Sequence, residues 1–334
     1  MSDARWMDYA LRLGRRALGT TAENPPVGCV IVKEDRLLGV GWTQPGGRPH
    51  AETEALKMAG EEATGATAYV TLEPCAHHGR TGPCAEALVK AGISRIVTAL
   101  DDPDTRTAGR GHMTLRQAGV TVETGLKVDE ARLDLAGFFT RITKKRPQVI
   151  LKLAVSADGK IAKAPGARTD ITGVEVRDRV HLLRAECDAI LVGMDTVLTD
   201  DPELSCRLPG METRSPKPFV LSRTRDIPPG SKLAIRATVL RGTIQQVLAE
   251  LGGLGINRLL VEGGAKIAKS FLETGLVDEF HLFRSPKEIG PQGVDALGGL
   301  SLESALSGFA LVQQETLGND ELSVYEKRQV QSSP

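Results

Sequence analysis

Two stretches of the 334-residue chain gather side chains able to hold a metal: Pro49-His50-Ala51-Glu52 and Glu73-Pro74-Cys75-Ala76-His77-His78-Gly79-Arg80-Thr81-Gly82-Pro83-Cys84. One imidazole and two thiolates make three ligands, and a tetrahedral zinc held by three protein groups keeps its fourth position for water. Water on such an ion ionises near neutral pH. Glu52, two residues from His50, is close enough to share the site without being a ligand, and suits the task of moving the proton. The competing reading is a closed structural zinc site with His77 or His78 as fourth ligand, in which Glu52 has no task. Pro49, Pro74 and Pro83 each precede a ligand. Proline is common where helices begin, so the ligands are expected at helix N-termini, whose partial positive charge favours thiolate over thiol.

Histidine-x-glutamate followed by proline-cysteine and a second cysteine is the signature of zinc nucleobase deaminases, in which the glutamate is general acid and base. That signature places two residues between the cysteines. Here eight separate Cys75 from Cys84, and they include His77, His78 and Arg80, polar groups able to line a pocket. Cys29, Cys187 and Cys206 read as small buried or inert thiols. His112, His181 and His281 read as isolated core histidines without partners at ligand spacing.

Periodicity supplies the elements that must carry these groups. It predicts a helix over 3–18 ending at Gly19, strands 27–32 and 37–42, a helix from about His50, and a strand 68–72. A helix from Cys84, a strand 95–100, a helix near 109–118 and a strand 120–123 follow. Thr143 to Pro147 reads as a charged linker. A second alternating series then begins with strand 149–155. Thr172 and Glu175 have capping-box spacing before a helix reaching Cys187, as do Thr243 and Gln246 before a helix stopping at Gly252-Gly253. Strands 189–192, 259–261 and 279–283 and helix 264–272 complete the pattern. Strand-helix alternation predicts α/β domains with mostly parallel sheets covered on both faces. The domains are expected at 1–146 and 147–328, with 329–334 a solvated tail.

Composition narrows the function. The chain is 41% hydrophobic and 25% charged, too apolar for disorder. Its 42 basic residues balance 42 acidic ones, so no cationic field collects polyanions. No stretch reaches the roughly 18 apolar residues of a membrane helix. No secretory pattern follows Met1, and the few cysteines suit a reducing compartment; the expected place is the cytoplasm. Nucleic-acid and membrane partners are not expected, whereas a small-molecule substrate is, and self-association into a homo-oligomer stays open.

Taken together, Asn24-Pro25-Pro26-Val27-Gly28, His50-Ala51-Glu52, Pro74 to Cys84 and Ala108-Gly109-Arg110-Gly111 resemble the bifunctional deaminase/reductase family of riboflavin biosynthesis. The likeness continues through Lys152-Leu153-Ala154, Ser156 to Lys160, Ile171-Thr172-Gly173, Leu183-Arg184-Ala185, Thr196 to Pro202 and Val261-Glu262-Gly263-Gly264, and so covers nearly the whole chain. It implies a cytidine-deaminase-like α/β/α domain followed by a dihydrofolate-reductase-like α/β domain. The first would hydrolyse the 2-amino group of 2,5-diamino-6-ribosylamino-4(3H)-pyrimidinone 5′-phosphate with Zn2+. The second would reduce the ribosyl side chain to ribityl with NADPH, giving 5-amino-6-ribitylaminouracil 5′-phosphate.

The resemblance also assigns residues. It gives the metal to His50, Cys75 and Cys84, proton transfer to Glu52, and deaminase substrate contacts to Asn24, His77, Arg80 and Asp102. In the reductase it gives substrate contacts to Lys152, Arg168, Arg184, Leu204, Arg207 and Glu262. NADPH contacts fall to Ala154, Asp170, Thr196, Asp200, Ser222 and the run Gly264, Ala265, Lys266, Ile267, Ala268, Lys269 and Ser270. Arginine's planar fork suits a phosphate ester. Gly263-Gly264 between strand and helix lets backbone approach a cofactor phosphate, or is simple turn chemistry. Lys152 taken alone reads as an edge residue reaching for water. The chain departs from the family at Thr43, where histidine is expected, at Asp104 in place of asparagine, and at Arg168 and Asp170, the latter in place of tryptophan. It is also short between about Ser222 and Thr243, as a trimmed surface loop would be. Two other readings compete: a nucleic-acid base deaminase with an accessory domain, and a non-enzymatic protein with a structural zinc.

Overall fold

The computed structural model describes residues 2–79, 82–167 and 169–328. Arg80, Arg168 and the 329–334 tail, all singled out above, lie outside these residues. The chain divides into two compact units between Lys145 and Arg146.

The first unit runs α1 Asp3–Arg15, β1 Gly28–Lys33, β2 Arg36–Trp42, α2 Ala51–Ala59, β3 Thr67–Val70, α3 Cys84–Lys90, β4 Arg95–Thr98, α4 Arg110–Gln117, β5 Thr121–Thr124, α5 Val128–Asp134 and α6 Ala136–Lys144. Its sheet has the order β2-β1-β3-β4-β5. The expectation of a mostly parallel sheet needs correction here: β1 is antiparallel to both β2 and β3, and only β3-β4 and β4-β5 are parallel. The two-residue connection Glu34-Asp35 is too short for a crossover, so it can only make a hairpin. Helix α1 stops at Arg15, short of the expected residue 18, because Ala17, Leu18 and Thr20 bond three residues back in tight turns up to Gly19.

Glycine decides how the helices seat. A Cβ at Gly28 would lie 1.8 Å from the Ala10 carbonyl of α1, and one at Gly41 would lie 2.1 Å from the Ala51 carbonyl of α2. Gly28 and its neighbour Cys29, which pairs with Gly41, point to opposite faces, so α1 and α2 cover the two sides of this sheet. Helix α2 also lies over Gly39, 2.1 Å from the Ala55 carbonyl by the same measure, and presents the fully buried Ala51 and Ala55 to the sheet. Backbone therefore meets backbone where the His50-Glu52 word is carried.

The second unit runs β6 Gln148–Val155, β7 Lys160–Ala162, α7 Val174–Ala185, β8 Ala189–Gly193, α8 Met194–Asp200, β9 Lys217–Leu221, β10 Thr238–Leu240, α9 Ile244–Gly253, β11 Arg258–Glu262, α10 Ala265–Glu273, β12 Glu279–Arg284, β13 Val294–Asp295, α11 Leu302–Leu306, β14 Phe309–Leu317 and β15 Asp320–Lys327. The large sheet has the order β10-β9-β8-β11-β6-β12-β15-β14, parallel from β10 to β12 and closed by antiparallel β15 and β14. Odd residues of β6, Val149, Leu151 and Leu153, join the core under α9 and α10, while Ile150 joins the core under α7 and α8. Both faces are covered, which is why this strand reads as an almost unbroken apolar run. Lys152 interrupts it. Since β6 lies between β11 and β12, Lys152 is on a central strand and the edge reading is wrong.

The Thr243-Gln246 capping box forms on both sides. The Thr172-Glu175 box does not. Gly173 is the N-cap of α7, and its N–H donates to Asp320 Oδ2 at 2.6 Å, so a carboxylate from the start of β15 does what the Glu175 side chain would do in a capping box. Among the described residues no helix is long and apolar enough to cross a membrane.

Candidate functional site

In the first unit His50 is the N-cap residue of α2 and Cys84 the first residue of α3. Cys75 is not on a helix, contrary to expectation, but its sulfur accepts the Cys84 N–H at 3.3 Å and so still faces a helix start. His50 Nδ1 stands 3.6 Å from Cys75 Sγ and 3.3 Å from Cys84 Sγ. All three ligand atoms lie within 4.8 Å of one another.

Their protonation is mutually entangled. Hydrogen bonding from Cys84, helped by His50 and opposed by burial, pulls the Cys75 thiol down to about 4. The bond to Cys75 and then burial push the Cys84 thiol up, and the bond to Cys75 raises His50. Two sulfurs and one imidazole nitrogen converging in this way are a donor set that fits Zn2+, which binds thiolate and neutral imidazole. Neither His77 nor His78 completes a closed set: His77 Nδ1 is 3.3 Å from Thr107 Oγ1, and His78 pairs with Glu86 at 3.7 Å.

Glu52 is 4% exposed and adjoins both His50 and Cys84. Burial raises its carboxyl above the ordinary 4.5, against the pull of His50 and with the push of Cys75. A carboxyl displaced toward neutrality is suited to taking and returning a proton. Asp102 is buried too; burial, then the neighbouring charges of Asp104, Glu73 and Cys75, lift it to about 7 despite the Asp104 amide it accepts. Asn24 packs on Gly47, where a Cβ would come 2.1 Å from its Nδ2.

The atypical Thr43 has a local task. Its hydroxyl donates to the Pro25 carbonyl at 2.8 Å and accepts the Val27 amide at 3.0 Å, tying the Asn24-to-Gly28 word to β2. Asp104 accepts the Arg106 side chain on both oxygens. His112, His181 and His281 are buried, in line with their reading as core histidines, and each has a polar neighbour. His112 meets Thr98 and Asp101, His181 meets the Ser205 carbonyl, and His281 meets Glu279. Cys29, Cys187 and Cys206 are buried, as expected.

In the second unit, Glu262 at the end of β11 is the register partner of Lys152 on β6. Arg184 of α7 donates to Glu262 through Nε at 2.8 Å and Nη2 at 3.0 Å, and through Nη1 to the Ser205 carbonyl at 3.1 Å. That last bond draws in the Leu204-to-Arg207 segment. Leu204 is buried with φ +56°, an unfavourable left-handed conformation for leucine, and Arg207 is exposed and paired with Glu203. Burial works to raise Glu262, yet Arg184 and then Lys152 hold it at about 2. Burial pulls the Lys152 ammonium down, against Glu262.

Some of the expected NADPH residues lie at strand ends. Gly193 and Gly264 are the N-caps of α8 and α10, which follow the adjacent parallel strands β8 and β11. Ala154 lies two residues past Lys152 on the same face of β6, and Thr196 Oγ1 is 3.7 Å from where a Gly263 Cβ would be. A Cβ on Gly264 would meet only Ile161, at 4.0 Å, so backbone at the start of α10 is accessible. The run from Gly264 does not act as a block: Ala268 is buried in the core, Ile267 packs on Gly193, Lys266 pairs with Asp195, Lys269 reaches Gly298, and Ser270 is exposed. Ser222 turns into its own loop, bonding the Arg225 backbone on both sides, and Asp170 is exposed. The shortened 222–243 segment is closed by Arg225-Asp195 and Asp226-Arg241 pairs.

Sequence reasoning overlooked two carboxylates. Glu73 accepts four backbone amides, and Asp158 accepts Ser156 Oγ and the amides of Ile289 and Gly290. Both stand in quoted words, but their partners lie too far along the chain for spacing to reveal.

Comparison with known proteins decides the family. Residues 1–100 match the model of the cytidine and deoxycytidylate deaminase zinc-binding region, and residues 147–322 match that of the RibD C-terminal domain. Riboflavin biosynthesis protein RibD of Aquifex aeolicus is 38% identical over 353 residues, covering 98% of each chain. The chain belongs to the RibD family. The Escherichia coli RibD is 38% identical, covering 96% of this chain and 98% of its own. A solved Acinetobacter baumannii RibD superposes with a TM-score of 0.89 at 37% identity, covering 98% of this chain and 99% of its own. The Thermotoga maritima structure described as a diaminohydroxyphosphoribosylaminopyrimidine deaminase/5-amino-6-(5-phosphoribosylamino)uracil reductase has a TM-score of 0.87 at 33% identity, covering 97% and 98%. The RibD fold is thus a cytidine-deaminase-like domain followed by a dihydrofolate-reductase-like one.

Proposed function

We propose the following residue roles for this chain, a riboflavin-biosynthesis enzyme that is both a deaminase and a reductase. Zn2+ serves the first activity and NADPH the second. The first domain takes residues 1–146 and the second 147–328. The substrate is 2,5-diamino-6-ribosylamino-4(3H)-pyrimidinone 5′-phosphate, and the product of the two steps is 5-amino-6-ribitylaminouracil 5′-phosphate. The observation that carries the deaminase reading is the convergence of His50 Nδ1, Cys75 Sγ and Cys84 Sγ beside the buried carboxyl of Glu52.

His50, Cys75 and Cys84 would hold the ion, and bound Zn2+ would supply a Lewis acid that makes a water molecule ionisable near neutral pH. Glu52 would take a proton from the attacking water and deliver it to the departing amino nitrogen. Asn24, His77 and Asp102 orient the pyrimidine. In the reductase, Lys152, Arg184, Glu262 and the Leu204-to-Arg207 segment hold the sugar phosphate, and the starts of α8 and α10 with Ala154 and Thr196 hold NADPH, which supplies hydride. Lys152 is the register partner of Glu262 and lies near the ring of Phe283, which supports a role for its ammonium in holding the sugar phosphate. The location is the cytoplasm, no nucleic acid or membrane is a partner, and self-association into a homo-oligomer is compatible with these roles.

The test follows ammonia release and NADPH absorbance together on the diaminopyrimidine phosphate. Glu52→Ala is expected to keep zinc and NADPH-dependent reduction of deaminated substrate, and to lose deamination by about a hundredfold or more. Deamination at the wild-type rate in that variant refutes the proton-transfer role.

A further inference from the structure

We propose that Glu73 is a positioning residue for deamination, its carboxylate locking the loop that carries Asp102 to the segment that carries Cys75. Glu73 precedes Cys75 by two residues and its side chain has no exposed surface. Oε2 accepts the backbone N–H of Asp102 at 3.2 Å and of Gly109 at 2.9 Å. Oε1 accepts those of Gly111 at 2.9 Å and His112 at 3.3 Å. One atom therefore closes the loop from Asp102 to Gly109, and the other holds the first turn of α4.

Four converging amide donors call for a group that offers four acceptor directions and no donor. Two carboxylate oxygens offer about four lone-pair directions, and four amide donors fill them. A glutamine has the same shape but must turn its NH2 toward one of the two donor pairs, leaving two buried N–H groups opposed by a third donor. Neighbouring contacts make the seam between the segments tight. A Cβ on Gly111 would sit 2.0 Å from the Pro74 carbonyl, and the Glu73 amide itself donates to the Leu100 carbonyl at 2.8 Å. The enclosed loop is organised around the site: Asp102 accepts the Asp104 amide at 2.8 Å, and Thr107 reaches His77. The Glu73 carboxylate bonds backbone amides rather than the ligand atoms, and acts through Asp102.

The inference rests on the reading of Asp102 as a substrate contact, and its test keeps the two apart. In the zinc-loaded full-length chain, Glu73→Gln is expected to retain one zinc and full NADPH-dependent reduction of deaminated substrate. Its kcat/KM for ammonia release falls by about a hundredfold, the scale of an ångström's misplacement, with KM carrying most of the change. In an Asp102→Ala background the same substitution costs less than about threefold, because coupled residues are not additive. Loss of zinc, a loss confined to kcat, or the full hundredfold in the Asp102→Ala background overturns the proposal. Should Glu73→Gln fail to fold, hydrogen exchange in the wild type decides. The amides of Asp102 and Gly109 exchange as slowly as those inside α4 if Glu73 holds them, and rapid exchange at either refutes it. A wild-type chain that releases no ammonia defeats the functional reading instead, and leaves the exchange measurement standing.

Discussion

Replacing Arg184 by methionine removes a guanidinium that makes three hydrogen bonds, two to Glu262 and one to the Ser205 carbonyl, where both charged side chains are 12% exposed. Stranding one partner of a buried ion pair costs about 3–5 kcal/mol. The carboxyl gives a second route to the magnitude. Its displacement from 4.5 to about 2, achieved against burial, corresponds to roughly 3 kcal/mol of preference for the ionised form. Since the folded-state value is depressed, this stability is present above about 4.5 and is lost as pH falls toward 2. Arg184→Met should therefore lose about 3 kcal/mol at pH 7 and flatten the acid limb between those values. The assay is urea unfolding followed by far-ultraviolet circular dichroism. Trp6 and Trp42, the two tryptophans, both lie in the first unit and supply an internal control whose transition stays fixed. Adding Glu262→Gln should restore part of the loss by removing the uncompensated charge. A loss below about 1 kcal/mol, or an equal loss in the Glu262→Gln background, refutes the account.

Other perturbations follow the same logic. Stripping the metal with a chelator abolishes ammonia release while sparing NADPH oxidation on deaminated substrate; parallel loss of both would contradict the separation of the two chemistries. Thr243→Ala removes one arm of the capping box and should cost about 1 kcal/mol, read in the circular-dichroism transition of the second unit. Gly28→Ala forces a methyl to 1.8 Å from the Ala10 carbonyl, so the tryptophan-reported transition should fall by more than about 2 kcal/mol, and a neutral result would disprove the backbone contact.

The metal site was legible because its ligands belong to two short words whose residue types are rare and chemically committed. His50, Cys75 and Cys84 needed only to be brought together, and helix starts at residues 51 and 84 do that. The reductase residues were readable only through resemblance. Lys152 illustrates why: a lone lysine in an apolar run gives no sign of whether its strand is at an edge or in the middle, and that depends on β12, more than a hundred residues later. The same distance hid Asp320 at the start of α7, so Glu175 was given a task that a remote carboxylate performs. Helices α5 and α6 and the β14-β15 hairpin went unread; β14 is largely exposed, so its alternation carries little apolar signal.

The seating of α2 on Gly39 and Gly41 has an evolutionary edge to it. Because the carriers of the histidine and the glutamate rest main chain on main chain, changes of side-chain volume elsewhere in the core can accumulate without displacing them. A single methyl at either glycine instead levers the whole helix outward and shifts both groups at once. Mutational drift around α2 should accordingly show long neutrality broken by abrupt failure, with the cliff located at Gly39 and Gly41.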